Sequence, residues 1–120
     1  MHNTQQAKRN KRIVRSRRVR AKIHGTADKP RASIFRSLRH TYVQLINDDL
    51  GKTLLSVDDT AIKAAQGQKK VDHSKALGKA VAEKALASKI STIVFDRRGY
   101  RYHGRVAAVA EGMRDGGLKF

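Results

Sequence analysis

The chain has 120 residues, no Cys, and 27 Lys and Arg against 10 Asp and Glu, for a formal net charge of +17. This length suits one domain with a modest core, and the lack of Cys excludes disulfide bonds, thiolate metal sites and a Cys nucleophile. The longest apolar run, residues 106–110, falls far short of the ~20 residues that span a bilayer. No apolar segment follows the basic start, so neither membrane insertion nor secretion is predicted.

The positive charge is concentrated near the N-terminus. The first 40 residues contain 13 of the 27 basic residues but one acid, Asp28, whereas the other 80 contain 14 basic and nine acidic residues. Such clustering is typical of nucleic-acid binding, because each cation near a phosphate releases condensed counterions. The sequence therefore predicts a basic N-terminal arm and helix over residues 1–24 and an α/β RNA-binding domain over residues 25–120. An organelle transit peptide is the alternative for this start, but no cleavable spacer separates it from the domain.

In the arm, residues 1–7 are polar and are expected to be mobile. A helix is predicted over residues 8–22, and Gly25 is its expected stop. Val19 and Ile23 lie on a narrow apolar stripe, so the helix should touch the domain along one edge and turn its cations outward, where phosphates would relieve their mutual repulsion. A solvated basic face or a localisation signal is the alternative. The helix residues predicted to bind RNA are Lys11, Arg12, Arg15, Arg17, Arg18, Arg20 and Lys22.

Three strands are predicted next, over residues 31–36, 41–46 and 52–57. Side chains alternate between two faces in the first run, as expected of a strand. Short connections, the second rich in turn residues, join the three runs. Two successive hairpins, an antiparallel meander, are therefore predicted.

The second half predicts two helices and one strand. An amphipathic helix runs from Asp72 or Ser74, either of which can cap it, to residue 89. Residues 60–71 before it are ambiguous between a loop and a short helical turn. Residues 92–95 form a short β-branched run, which is typical of a strand covered on both faces.

The last helix is predicted over residues 104–114 and is ended by Gly116 and Gly117. The order is then helix, three strands, helix, strand, helix. The predicted fold class is α/β, a single mixed-sheet α/β sandwich with a basic N-terminal helix or arm. The fourth strand is expected to join the sheet parallel to a neighbour, through a right-handed connection.

Residues 97–105 give the sharpest local signal for RNA binding. Four arginines and the start of the last helix offer donors to phosphate oxygens, two glycines permit a tight path, and the tyrosines can stack on splayed bases or bond a 2′-hydroxyl. The alternative is that Tyr102 and His103 merely close the edge of the core. The residues predicted to bind RNA in this loop are Arg97, Arg98, Tyr100, Arg101, Tyr102, His103 and Arg105.

The tip of the first hairpin has a similar mixture of cations, hydroxyl groups and an aromatic ring. A solvated turn is the alternative interpretation of this segment. The residues predicted to bind RNA here are Arg36, Ser37, Arg39, His40 and Tyr42.

No catalytic or metal-binding pattern occurs in the sequence. The five His residues show no ligand spacing, and the acid pairs at 48–49 and 58–59 lie in or beside turns, where neighbouring side chains diverge. Glycine-rich nucleotide motifs and a nucleophile elbow are missing, so no enzyme, cofactor or metal is predicted. Two rival classes remain. One is a DNA-binding or architectural protein, but the sequence has no helix-turn-helix, zinc finger or zipper. The other is an RNA-processing hydrolase that uses the acid pairs.

Three blocks of sequence match a known family. Residues 95–106, FDRRGYRYHGRV, are followed by an Ala-rich helix and a terminal GGLKF. The second block has Gly25-Thr26, KPR at 29–31, IFRS at 34–37 and His40 with YVQ at 42–44, and the third is GKTL at 51–54, all in the same order and spacing. In these blocks the sequence resembles the bacterial form of ribosomal protein L eighteen, and the resemblance extends over essentially the whole chain.

The resemblance implies a non-catalytic constituent of the large ribosomal subunit that binds 5S rRNA and helps attach it to the large-subunit rRNA in the central protuberance. It implies neighbouring 5S-binding ribosomal proteins as partners, a cytoplasmic location in the ribosome, and no cofactor, membrane or small-molecule substrate. The family's RNA surface falls on the basic helix, the hairpin tip and residues 97–105, and Arg31 in the matched KPR run is added to the predicted RNA ligands. Leu38, where the family commonly has Asn, and residues 57–59, in place of a Ser- and Thr-rich stretch, depart from the pattern and bear on contacts at the hairpin tip.

Overall fold

The structure, a computed structural model, describes residues 4–20, 23–38, 40–62 and 70–120. The order of its elements confirms the predicted α/β fold. In chain order they are α1 (Thr4–Arg20), β1 (Arg31–Arg36), β2 (Thr41–Asn47), β3 (Lys52–Asp58), a 3-10 turn (Asp59–Ala61), α2 (Lys70–Ala87), β4 (Val94–Asp96) and α3 (Arg105–Asp115).

The described strands form one sheet in the order β3-β2-β1-β4. The pairs β1–β2 and β2–β3 are antiparallel, so both predicted hairpins are present. Strand β4 lies parallel to β1, with Phe95 opposite Ala32, which confirms the predicted mixed sheet. Local chemistry closes the second hairpin: the Asn47 side chain accepts a hydrogen bond from the Asp49 N–H, and Gly51 takes a φ of 62°.

Alternation along the strands turns one face of the sheet into the core. Ile34, Val43 and Leu45 are at most 1% exposed, and they pack in one cluster with Leu77 of α2 and Met113 of α3. Both helices therefore cover the same face. The positions between these core residues point to the opposite face, where the side chains are only partly covered at Phe35 and Tyr42.

The N-terminal helix begins earlier than the sequence indicated. Helix α1 starts at Thr4 rather than residue 8, so residues 4–7 belong to the helix and not to a mobile arm. Gln and Ala in this stretch are good helix formers, but the helix start was predicted from apolar periodicity, which these residues do not show. Residues 1–3 and 21–22 lie outside the described residues.

Helix α2 spans Lys70–Ala87 instead of ending at residue 89. Lys89 takes a φ of 63°, and the Ile90 N–H donates to the Ala85 carbonyl oxygen at 2.8 Å, which closes the helix end. Such a left-handed residue is usually Gly, and no Gly marks this position. The ambiguous segment before α2 begins with the 3-10 turn, and residues 63–69 lie outside the described residues.

The last strand, Val94–Asp96, begins two residues later and ends one residue later than the predicted strand at residues 92–95. Thr92 forms an isolated bridge with Lys119, and the Ile93 N–H donates to the Lys119 carbonyl oxygen. The start of the predicted strand is therefore paired with the C-terminal segment instead of β1. Helix α3 (Arg105–Asp115) agrees with its prediction to one residue at each end. Among the described helices, none combines the length and apolar character needed to cross a membrane.

Candidate nucleic-acid interface

A basic cleft of about 560 Å³ lies where α1 passes the loop that follows β4. Its walls come from α1, from the end of β1 and from residues 99–104, so segments far apart in sequence meet here. His103, Gly99 and Tyr100 belong to the loop wall. The six Lys and Arg residues that line the cleft are Lys8, Arg9, Arg12, Arg15, Arg36 and Arg101.

Helix α1 reaches the cleft through two arginines. Spacing of three or four residues places Lys8, Arg12 and Arg15 on one face of the helix. The Arg15 Nε donates to the Gly99 carbonyl oxygen at 3.2 Å, and the Arg12 guanidinium carbon lies 5.1 Å from the centroid of the Tyr100 ring. An arginine has five N–H donors, so each side chain keeps donors for a ligand while it holds the helix against the loop.

Tyr100 forms the floor of the cleft rather than a free stacking surface. It is 6% exposed, and its hydroxyl donates to the Arg36 carbonyl oxygen at 3.0 Å. The guanidinium carbons of Arg12 and Arg36 each lie 5.1 Å from its ring centroid. The geometry shows that Tyr100 holds two arginines by cation–π contact.

The path of the loop is fixed by a buried carboxylate. Asp96 is fully buried, and its Oδ1 accepts from the Arg98 N–H at 2.9 Å while Oδ2 accepts from Arg31 at 2.8 Å. Arg98 and Gly99 both have left-handed backbones, with φ of 54° and 76°. A non-Gly residue adopts that conformation only where its surroundings hold it. Arg97 adds an internal bond, since its Nη1 donates to the Tyr100 carbonyl oxygen at 3.0 Å.

Arg31, predicted as an RNA ligand, is instead placed inside the protein. It is 8% exposed, and its guanidinium donates to both Asp48 oxygens, at 2.9 and 3.0 Å, and to Asp96. The hydrogen bond with Asp48 raises the pKa of Arg31, and the same bond lowers the pKa of Asp48 to about 2. Asp48 also accepts from the Gly25 N–H. Arg31 therefore ties the start of β1 to the turn after β2 and to the end of β4.

The hairpin tip lies beside the cleft. The Ser37 N–H donates to the His40 carbonyl oxygen at 2.8 Å, which closes the turn and leaves both side chains exposed. The Arg105 Nη2 donates to the Ser37 carbonyl oxygen at 2.8 Å and so joins the tip to the start of α3. Burial, and then the positive charge of Arg36, lower the pKa of Arg105. A bound phosphate would relieve the repulsion between these two arginines.

The other predicted ligands lie partly at the cleft and partly elsewhere. Tyr102 is 48% exposed, with its ring edge-on to Phe95 at 6.1 Å, and Arg101 and His103 are exposed beside it. Tyr42 stacks on Phe35, and His40 lies 3.0 Å from Asp59 through its Nδ1. Lys11, Arg17 and Arg18 are exposed on α1 but do not line the cleft. Lys22, Arg39 and the side chain of Arg20 lie outside the described residues.

Two cleft residues, Lys8 and Arg9, are missing from the sequence-based set. The sequence does indicate them, because both belong to the same basic run as Arg12 and Lys8 lies one helical turn before it. Phe35 and Asp96 are not among the predicted site residues either, because their contacts depend on strand pairing that the sequence does not display. Within the described residues, no three His, Asp or Glu side chains are grouped so that they could hold a metal ion.

The fold and the cleft together define a class of protein, a small α/β domain with a cationic surface suited to a phosphate-rich polymer. Comparison with known proteins gives the family. The family described as "Ribosomal L18 of archaea, bacteria, mitoch. and chloroplast" matches residues 6–120. The chain belongs to this family, which confirms the resemblance found in the sequence.

Curated relatives agree over most of their length. The proteins named "Large ribosomal subunit protein uL18" in Chloroherpeton thalassium and Herpetosiphon aurantiacus are 55% identical over 106 residues and 49% identical over 112 residues. These alignments cover 87% and 91% of this chain, and 88% and 93% of the two relatives. The relative in Lactobacillus acidophilus is 50% identical, over 91% of this chain and 92% of its own length. The chain is therefore a structural constituent of the large ribosomal subunit, which confirms this part of the prediction.

Proposed function

We propose that the chain binds 5S rRNA and helps to attach it to the large-subunit rRNA in the central protuberance, beside other 5S-binding ribosomal proteins. The basic cleft carries the proposal, because six Lys and Arg side chains from three segments converge there. Guanidinium and ammonium groups donate to phosphate oxygens, so the cleft suits an RNA backbone. The exposed cations of α1 outside the cleft offer a second surface for another RNA segment.

The proposed roles follow exposure and existing bonds. Arg31 and Tyr100 act as positioning residues, since their polar groups are engaged within the protein. Arg97 donates from Nη1 to the Tyr100 carbonyl oxygen and keeps its other donors, so it remains a proposed RNA contact. Arg20, Lys22 and Arg39 remain proposed ligands from sequence alone. The remaining proposed RNA contacts are Lys8, Arg9, Lys11, Arg12, Arg15, Arg17, Arg18, Arg36, Ser37, His40, Tyr42, Arg98, Arg101, Tyr102, His103 and Arg105.

Two cleft arginines test the proposal. Arg12→Ala and Arg36→Ala should each lower the affinity for a bacterial 5S rRNA transcript by about tenfold, the loss expected for one charge-assisted hydrogen bond. Filter binding or fluorescence anisotropy measures the affinity, and circular dichroism with thermal unfolding checks that each variant folds. Lys79→Ala and Lys84→Ala are matched controls, because both cations are exposed on α2 and neither lines the cleft.

The outcomes separate the rival functions. A folded wild-type protein that ignores the 5S transcript at modest ionic strength would refute the proposal. Equal losses of affinity in the cleft variants and the α2 controls would mean that RNA binding depends on total positive charge and not on the cleft. Preference for duplex DNA over the transcript in competition would favour an architectural DNA-binding protein, and metal-dependent cleavage of the RNA would favour a hydrolase.

A further inference from the structure

The open face of the sheet carries a row of one cation and two aromatic rings. Phe35 of β1 and Tyr42 of β2 are register partners, with ring centroids 4.8 Å apart and an interplanar angle of 27°. The Arg98 guanidinium carbon lies 5.3 Å from the Phe35 centroid. Arg98 follows β4, which flanks β1 on the side away from β2, so Arg98, Phe35 and Tyr42 succeed one another across the sheet.

Packing of the core does not account for this row. The alternate residues Ile34 and Val43, which face α2 and α3, are 0% and 1% exposed, whereas Phe35 and Tyr42 are only partly buried. Aromatic faces left beside water on a strand are a recurrent platform for bases, since every nucleobase has a flat π surface.

We propose that this face of the protein stacks one unpaired nucleobase of the RNA, on the ring of Tyr42. The inference rests on the proposed RNA-binding function and specifies part of its ligand, a base that is free of the double helix. Arg98 already occupies the Phe35 end of the row, so Tyr42 is the end at which the stack can continue.

The charges around the row favour a base over a phosphate at Tyr42. Asp58 of β3 is the register partner of Tyr42 and is exposed, so a carboxylate borders the ring on that side. The Asp58 Oδ1 already accepts from the Thr60 N–H at 2.9 Å, and the negative charge of this carboxylate repels phosphate. The basic cleft lies at the same end of the sheet, because Arg36, the last residue of β1, lines it and the loop that begins beside Arg98 forms its wall. An RNA strand held by its phosphates in the cleft can thus present a base to Tyr42.

Removal of the ring tests the stack. Tyr42→Leu keeps an apolar side chain of similar reach but has no π face, and Tyr42→Phe is the matched control that keeps the ring and loses the hydroxyl. With the 5S rRNA transcript, we expect Tyr42→Leu to weaken binding roughly 10- to 100-fold and Tyr42→Phe by less than about twofold. With a fully paired RNA duplex of equal length, both variants should bind like the wild type. Raising the salt should leave the loss in Tyr42→Leu unchanged, because stacking releases no counterions.

A fluorescent variant gives a second, direct measurement. The chain contains no Trp, so Tyr42→Trp supplies one reporter in an otherwise Trp-free protein. A stacked base should quench its emission in the complex with the transcript but not in the complex with the duplex. This measurement decides the question even if Tyr42→Leu fails to fold.

Each result has one meaning. Equal affinity of Tyr42→Leu and the wild type for the transcript, or an unquenched reporter in a saturated complex, overturns the stacking proposal and leaves the proposed function standing. A wild-type protein that binds neither the transcript nor the duplex removes both proposals. Loss of duplex binding in Tyr42→Leu, equal to its loss on the transcript, also overturns the stack, because a duplex offers no free base.

Discussion

At the level of single residues, Arg31 and Asp48 join the first strand to the turn between β2 and β3. Their contact has two hydrogen bonds, and Asp48 also accepts from the Gly25 N–H. The Asp48 side chain is 23% exposed and that of Arg31 10%, so water screens the pair only in part. The interaction is consequently expected to contribute measurably to stability, unlike an ion pair at the surface.

Asp48→Asn should lower the free energy of unfolding at neutral pH by about 2 kcal/mol, because the neutral amide loses the charge-assisted hydrogen bonds from Arg31 that lower the pKa of Asp48 from 3.8 to about 2. The folded state binds this proton more weakly than the unfolded chain does. The stabilisation is therefore complete above pH 4 and is lost as the pH falls through about 2. Urea unfolding of both proteins at several pH values measures it: the two stability curves should converge toward pH 2.

Asp49→Asn is the matched control, since the neighbouring carboxylate is 57% exposed and pairs with the exposed His24. Its effect at neutral pH should stay within about 0.5 kcal/mol. A gap between wild type and Asp48→Asn that is as wide at pH 2 as at pH 7 would contradict the assignment of the stabilisation to this carboxylate.

At this same scale, the sequence indicated the location of exposed side chains better than that of buried ones. Arg36 and Arg101 do line the cleft, because cations at a hairpin tip and in a loop have few alternatives to solvent. Arg31 could not be distinguished from them, since its partners lie 17 and 65 residues away along the chain. Tyr100 is a similar case: its hydroxyl bonds to the backbone of β1, a contact that depends on the sheet order.

Among the elements, helices α2 and α3 approach so closely that their crossing requires two glycines. A Cβ atom on Gly78 would lie 2.2 Å from the Val109 carbonyl oxygen, and one on Gly112 would lie 2.1 Å from the Lys75 carbonyl oxygen. In both cases the obstacle is backbone, which cannot rotate away as a side chain can. The crossing can accommodate an added methyl group only if one helix moves.

Gly78→Ala is expected to reduce the free energy of unfolding by about 2 kcal/mol. Overpacking costs about 1–3 kcal/mol, and the better helix propensity of Ala, worth up to about 1 kcal/mol, offsets part of it. Urea unfolding measures the change. Lys79→Ala, on the exposed face of the same helix, should change stability by less than about 0.5 kcal/mol. A Gly78→Ala protein more stable than the wild type would show that propensity outweighs the crossing.

The elements themselves were largely predictable where their signals are local. Alternation gave strand β1 its correct bounds, and the Gly pair after α3 gave that helix its end. The misplaced boundaries have non-local or unmarked causes. Helix α2 stops before Lys89, which takes a left-handed backbone without being Gly, and Thr92 pairs with Lys119 at the C-terminus rather than with the neighbouring strand.

For the whole molecule, the fold explains why charge that is spread along the sequence acts at one place. Cations from α1, from the end of β1 and from the loop after β4 come together at the cleft, at the end of the sheet where β1 stops. The sequence located each of these basic segments but not their convergence. That convergence depends on the contact of Arg15 with the Gly99 carbonyl and of Arg12 with the Tyr100 ring.

Convergent cations predict a steep dependence of RNA affinity on salt. If the six cleft cations each neutralise one phosphate, affinity for the 5S rRNA transcript should fall by about 1000-fold between about 50 and 200 mM salt, by the relation established for duplex DNA. The slope of log affinity against log salt, measured by anisotropy, checks this. In the Arg12→Ala/Arg36→Ala double variant the slope should decrease by about 2, one for each lost phosphate contact, whereas Lys79→Ala/Lys84→Ala should keep the wild-type slope. A nearly flat wild-type dependence would mean that the bound RNA does not place its phosphates in the cleft.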